Sequence, residues 1–264
     1  LASSSAASDV YKRQNEICLE VSSLSGEKLD SKEPFKDINF ILSKGEILGI
    51  AGVEGNGQRE LTESILGIYP LSQGTITVDG INIDNMATRQ RRSLGINFIP
   101  EDRQTQGLVM DNSLIENAML GRQNKDMYKT RFKSVNFKNS RKFSNKIIDQ
   151  YDVRTPNSST LALALSGGNQ QKFVVGRELE DNPSLLVASQ PTRGIDIGAQ
   201  SLIWEELREA RDAGLGVLLI SADLEELLGL SDRLLVMYEG KIVKELLPED
   251  ATPELLGAYM TGLK

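Results

Sequence analysis

The 264-residue chain contains no histidine, so every mechanism that uses imidazole as acid, base or metal ligand is excluded. It has one cysteine, Cys18, which rules out an intrachain disulfide and suits a reducing compartment. No apolar run approaches the ~20 residues of a membrane-spanning helix. Basic residues are the minority, 30 Lys plus Arg against 37 Asp plus Glu, and the resulting charge of −7 makes nucleic acid a poor partner. What remains is 39% hydrophobic and 25% charged: too apolar for a disordered chain, and enough for one sizeable domain or a core domain with a subdomain.

Residues 1–14 stand apart. Leu1 to Ala7 is rich in Ser and Ala, without the basic start and apolar middle of a signal peptide. Asp9 to Gln14, Asp-Val-Tyr-Lys-Arg-Gln, resembles the translated end of a transposon adapter used in sequencing libraries. Residues 1–14 are therefore expected to be a cloning or assembly scar, with a flexible tail as the alternative, and the natural gene is expected to continue upstream of Asn15.

From Ile17 onward short apolar runs alternate with helical patterns. Ile47–Ala51, Ile96–Ile99, Leu185–Ala188, Val217–Ile220 and Leu234–Met237 are nearly continuous apolar stretches, which suit strands buried on both faces of a mostly parallel sheet. Ile17–Val21 and a run from Phe35 to Leu42 read as further strands. Thr75–Val78 and Ile81–Ile83 flank Asp79-Gly80, a two-residue hairpin signal. Helical spacing follows at Leu61, Ile65 and Leu66, across Ala199–Ala213 and at Leu224–Leu228. An α/β architecture follows. Residues 102–160 break the rhythm with polar, Asn-, Ser- and Lys-rich sequence and read as an inserted helical subdomain. The core is then 15–101 and 161–247, and 248–264 is a terminal helical tail.

Inside the insertion, Lys125–Lys142 carries seven basic residues and one acid, a local charge of +6 that leaves −13 on the rest of the chain. Tyr128, Phe132, Phe137 and Phe143 interleave with the charges. The simplest expectation is a solvated helix pair with its aromatics packed inward. Nucleic-acid stacking and a surface near anionic lipid headgroups are the alternatives.

The run Ile47–Ala51 leads into Gly52-Val-Glu-Gly-Asn-Gly-Gln-Arg59, the G-x-x-x-x-G frame in which backbone N–H groups and a helix N-terminus surround a phosphate. Gly52, Gly55, Asn56, Gly57, Gln58 and Arg59 are its candidate nucleotide-binding residues. Two side chains that such a site needs are replaced, since Gln58 stands for Lys and Arg59 for the Mg²⁺-holding Ser or Thr. Losing a charge-assisted contact costs about 1.5–3 kcal/mol, so affinity is expected to fall. Taken alone, the loop reads equally well as a tight structural turn.

The segment that breaks this tie is Leu165-Ser-Gly-Gly-Asn-Gln-Gln-Lys172, opening a helical stretch, followed by Leu185–Thr192 and Arg193-Gly-Ile-Asp196. Ser166 and the N–H groups of Gly167 and Gly168 at a helix start can meet a γ-phosphate; a plain helix cap is the bland alternative. The string Leu165, Ser166, Gly167, Gly168, Asn169, Gln170 closely resembles the signature motif of ABC ATPases in the form typical of simple-sugar and nucleoside importers. The motif order matches from Ile17 to Val243. Pro100-Glu-Asp-Arg103 and Gln190-Pro-Thr-Arg-Gly194 are similar to the second nucleotide-binding domain of those importers. The resemblance implies a P-loop NTPase of the ABC type, with a mostly parallel core sheet, an antiparallel β subdomain and the helical insertion.

It also exposes departures. Ser189 and Gln190 stand where the Asp and Glu of the Walker B strand are expected, Glu101 where the Q-loop glutamine is, and Ala222 where the switch histidine is. Only the signature and Asp196 of the D-loop are intact, so no complete catalytic set or metal site is expected in this chain. Family members pair two such domains head to tail, which implies ATP with Mg²⁺ at a composite site. This chain would supply the signature, and an N-terminal nucleotide-binding domain of the same natural polypeptide would supply an intact loop. Transmembrane permease subunits and, indirectly, a substrate-binding protein are the other implied partners, at the cytoplasmic face of the plasma membrane. A competent stand-alone ABC ATPase, a non-transport ABC protein and a nucleotide-free scaffold are the alternatives.

Overall fold

The computed structural model describes residues 16–28, 33–123, 125–129 and 135–263. The 1–14 segment and Phe132 of the basic stretch lie outside them. Ten strands run through the described residues: β1 (Ile17–Gly26), β2 (Ile38–Ser43), β3 (Ile47–Ala51), β4 (Leu71–Val78), β5 (Ile81–Asn82), β6 (Ile96–Ile99), β7 (Leu185–Ser189), β8 (Gly216–Ser221), β9 (Arg233–Tyr238) and β10 (Lys241–Leu246). The longer helices are α1 (Gln58–Ile65), α2 (Thr88–Ser93), α3 (Leu114–Ala118), α4 (Phe137–Gln150), α5 (Gly167–Leu179), α6 (Ile197–Asp212), α7 (Leu224–Leu230) and α8 (Pro253–Met260). The chain divides into two compact units, Leu1–Phe98 with Pro183–Gln190 and Leu207–Lys264, and Ile99–Asn182 with Pro191–Glu206.

The first unit holds an antiparallel sheet in the order β2-β1-β4-β5 and a six-stranded sheet in the order β10-β9-β3-β8-β7-β6. In the latter, β3 pairs parallel with β8 (Ile50 opposite Ile220) and with β9 (Ile50 opposite Leu235). All of β3 and β8 is buried, as their unbroken apolar runs predict. The edge strand β10 exposes Lys241, Lys244 and Glu245, charges that blunt pairing with another chain. Leu19, Ile38, Ile50, Leu61, Val187 and Leu235 belong to one core that joins the two sheets. The β4–β5 hairpin turns on Asp79 (φ 49°) and Gly80 (φ 75°), both left-handed as a type I′ turn requires. The expected strand from Phe35 begins only at Ile38, because Asp37 has φ 50° and Lys36 donates its N–H to Gly240 O instead of to a strand. Burial pushes the Cys18 thiol up to about 12, which keeps this buried cysteine a neutral thiol packed in the core.

The second unit contains the inserted helices, and also α5. Helix α4 turns Ser140, Phe143, Ser144 and Ile147 inward at i, i+3, i+4, i+7 spacing. Tyr128 stacks edge-on against Phe143, ring centroids 6.2 Å apart. Arg122 is the most deeply buried of the unit's described cations. Its side chain is inaccessible to solvent and bonds Glu178 at 3.0 Å and the Arg177 carbonyl at 2.8 Å, with Asp181 at 3.1 Å. Such a pair costs much to bury and more to break. Arg122→Ala is therefore expected to cost about 3–5 kcal/mol of stability, read from the shift in the urea unfolding midpoint.

Candidate functional site

The residues singled out from the sequence fall into two groups, one in each unit. In the first unit, β3 delivers the chain into the loop Gly52–Gly57, and α1 leaves it. The backbone at Gly57 has φ 97°, and a Cβ there would collide with Pro34 O, so the position demands glycine. Asn56 is buried and holds the loop from beneath. Its Nδ2 donates to Met237 O (3.3 Å) and Met260 O (3.4 Å), and its Oδ1 accepts from the N–H of Glu239 (3.0 Å). It is thus a structural tie between the loop and β9.

Gln58 is also buried, and its Nε2 donates to Val53 O at 3.3 Å, folding the amide back across its own loop. Arg59 points the other way: it is 72% exposed and pairs with Glu63 at 2.9 Å, one helical turn on. Neither side chain offers Mg²⁺ a hydroxyl or carboxylate: Gln58 is an amide bonded to Val53 O, and Arg59 is itself a cation. At the end of β7, Gln190 adopts φ 48° and donates its N–H to Ile220 O (2.7 Å). Its Oε1 accepts from the N–H of Ala222 at 3.2 Å and from Ser221 Oγ at 3.4 Å. So the structure joins Gln190 and Ala222, and the contact they make is a backbone–amide bond with no titratable group. Ser189 beside them is half-buried and uncharged.

In the second unit, Ser166 caps α5. It is exposed, and its Oγ accepts from Asn169 Nδ2 at 2.9 Å, while Asn169 Oδ1 accepts from the N–H of Arg154 at 2.8 Å. The first-turn N–H groups of Gly167 and Gly168 have no partner within the helix, as at any helix start. Gln170 is buried and donates to Ala162 O and Leu165 O, so it anchors the motif and does not face a ligand. Asp196 lies beside the motif: a Cβ on Gly168 would stand 3.1 Å from its Oδ2. The N–H of Ala199 holds the Asp196 carboxyl below the usual carboxylate range.

Three residues that the sequence reading quoted without a role complete this group. Gln171 donates to Pro191 O at 2.6 Å, fastening the signature helix to the segment that leads to Asp196. Arg103 donates to Arg193 O (2.9 Å) and Gly194 O (3.4 Å), and its Nη2 lies 2.7 Å from where a Cβ on Gly167 would be. Arg193 forms an ion pair with Glu101, so the carboxylate at the Q-loop position is already engaged. The signal for these ties was present only as motif neighbours, with nothing in their spacing to announce the contacts.

Residues 35–193 match the family described as ABC transporter. The chain belongs to that family. Among relatives of this ABC chain, the guanosine import ATP-binding protein NupO of Bacillus subtilis is 45% identical over 233 residues, 87% of this chain and 45% of that protein. The ribose import ATP-binding protein RbsA of Clostridium perfringens is 38% identical over 251 residues, 95% of this chain and 49% of that protein. The ABC chain thus spans about half the length of these relatives. A nucleotide-free ATP-binding cassette from an ABC transporter superposes with a TM-score of 0.77 at 21% identity, covering 93% of this chain and 99% of that one. A dimeric cassette in a post-hydrolysis state with ADP and Pi gives 0.74 at 20% identity, covering 87% and 98%. The fold is the ABC ATPase P-loop fold, a mixed α/β core with an antiparallel sheet and a helical subdomain.

Because the Gln58 amide fills the loop that a cationic side chain would line, Gln58→Lys is expected to tighten adenine-nucleotide binding about tenfold in isothermal calorimetry.

Proposed function

We propose that this chain is the ATP-binding component of an importer for nucleosides or simple sugars, with a silent loop of its own and a working signature lent to a partner's nucleotide. The observation that carries the reading is the contrast between the two groups. Gln58, Gln190 and Ala222 spend their polar groups on one another or on neighbouring backbone, and Arg59 turns out to solvent and pairs with Glu63. Ser166, Gly167 and Gly168 stay at an open helix start, with Asp196 beside them. Positioning and electrostatics supplied to a phosphate from outside require no base in this chain. The names of the relatives, guanosine and ribose import ATP-binding proteins, support the substrate class.

The partner that completes the site carries an intact phosphate loop, which would hold ATP and Mg²⁺. An N-terminal nucleotide-binding domain of the same polypeptide suits this role, since relatives of about twice the matched length have room for it. Permease subunits would then receive the closure, with a substrate-binding protein acting through them, and the chain would sit at the cytoplasmic face of the membrane. Ile197, 81% exposed directly after Asp196, leaves a large apolar side chain uncovered beside the signature, as a partner surface there requires.

Two measurements test the reading. The 264-residue chain alone is expected to show no ATP turnover above buffer background in a phosphate-release assay, and robust hydrolysis would overturn the silent loop. In the assembled transporter, Ser166→Arg removes the hydroxyl and crowds the helix start, and is expected to lower ATP turnover at least about a hundredfold. Unchanged turnover would sink the lent signature while leaving the silent loop untouched.

A further inference from the structure

The basic stretch of the second unit is not used by the nucleotide reading, and its aromatics divide into two sets. Tyr128 and Phe143 pack inward. Phe137, the first residue of α4, is 54% exposed. Met127 (50%) and Val135 (41%) are exposed too. These three are neighbours: Lys129 and Val135 form a β-bridge, Asn136 donates its N–H to Tyr128 O at 2.8 Å, and Asn139 Nδ2 donates to Met127 O at 2.6 Å. Along the same outward face run Lys138, Arg141 and Lys142, all exposed and, among the described residues, without an ion pair. Phe137 and Arg141 are one turn apart, as are Lys138 and Lys142.

A cluster of uncovered apolar side chains beside three free cations has the composition of a surface that rests on a bilayer. The apolar groups enter the acyl boundary, and the long cationic stems reach the headgroups. We infer that this face, Met127, Val135, Phe137, Lys138, Arg141 and Lys142, docks directly on anionic phospholipid headgroups. Charge complementarity favours that occupant. The face presents three cations, Lys138, Arg141 and Lys142, and none of its six residues is acidic, on a chain of −7. Asp126, the acid next to Met127, is paired with Lys129, and acids farther than about 8 Å from the headgroups are screened at physiological ionic strength. Single-stranded nucleic acid fits less well: stacking needs successive outward aromatics, and Tyr128 and Phe143 face inward while Met127 and Val135 cannot stack.

The inference does not rest on the nucleotide reading, and its test contains no nucleotide. The 264-residue chain is floated with vesicles of phosphatidylcholine alone and of phosphatidylcholine with phosphatidylglycerol. Binding is expected only to the anionic vesicles, weakening as ionic strength rises. The combined variant Lys138→Glu, Arg141→Glu, Lys142→Glu is expected to lose at least about tenfold in partitioning. The charge-keeping variant Lys138→Arg, Arg141→Lys, Lys142→Arg is expected to bind like the parent, and Phe137→Ser to bind more weakly at equal charge. Unchanged circular dichroism in each variant keeps the comparison to the surface. Equal binding to both vesicle types, or unaltered partitioning of the charge-reversed variant, would overturn the inference. So would failure to bind either vesicle by a parent chain that binds single-stranded RNA through the same three cations.

Discussion

Everything in the first unit hangs on the central strand β3, buried along its whole length between two parallel neighbours. A strand in that position has every backbone group paired and no freedom to slip, so the loop at its end is aimed by the sheet. Asn56 then fixes the loop to β9, and the φ of Gly57 sets the entry into α1. The backbone scaffold of a phosphate loop is therefore in place. Gln58 shows how this is stable: an amide that bonds Val53 O satisfies the buried position without the charge that a lysine would bring into it.

The second unit is organised by side-chain amides and guanidinium groups in place of a ladder. Gln170, Gln171 and Arg103 each donate to backbone carbonyls, of the strand-free stretch before α5, of Pro191, and of Arg193 and Gly194. Carbonyls in irregular segments have no regular partner, and these donors supply one. The result holds the signature, the segment before Asp196 and the Glu101 position together. In the same unit the ion pairs of Arg122 tie the insertion to the end of α5.

The two groups of motif residues thus differ in a single physical respect. In one, the amides of Gln58 and Gln190 close on nearby backbone; in the other, the Ser166 hydroxyl is exposed at a helix start whose first-turn N–H groups have no partner within the helix. The surface of α4 repeats the distinction at larger scale, with Phe143 and Ile147 inside and Phe137 with its flanking cations outside.

Much of this was legible in the order of residues. The buried strands announced themselves as unbroken apolar runs, the Asp79-Gly80 turn by its residue types, and the signature by a string of eight residues. That Gln58, Ser189, Gln190 and Ala222 carry no charge was legible too, since identity alone decides whether a charge is present. Two things were not legible. One was the β2 start, shifted to Ile38 by the left-handed backbone at Asp37. The other was the set of contacts made by Asn56, Gln171, Arg103 and Glu101. The sequence by itself determined which chemical groups stand at each motif position, because those groups are fixed by covalent identity. Only the tertiary structure decided which groups are spent on neighbours and which face outward, because that depends on carbonyls and charges brought close from as far as 204 residues away, as Met260 is to Asn56.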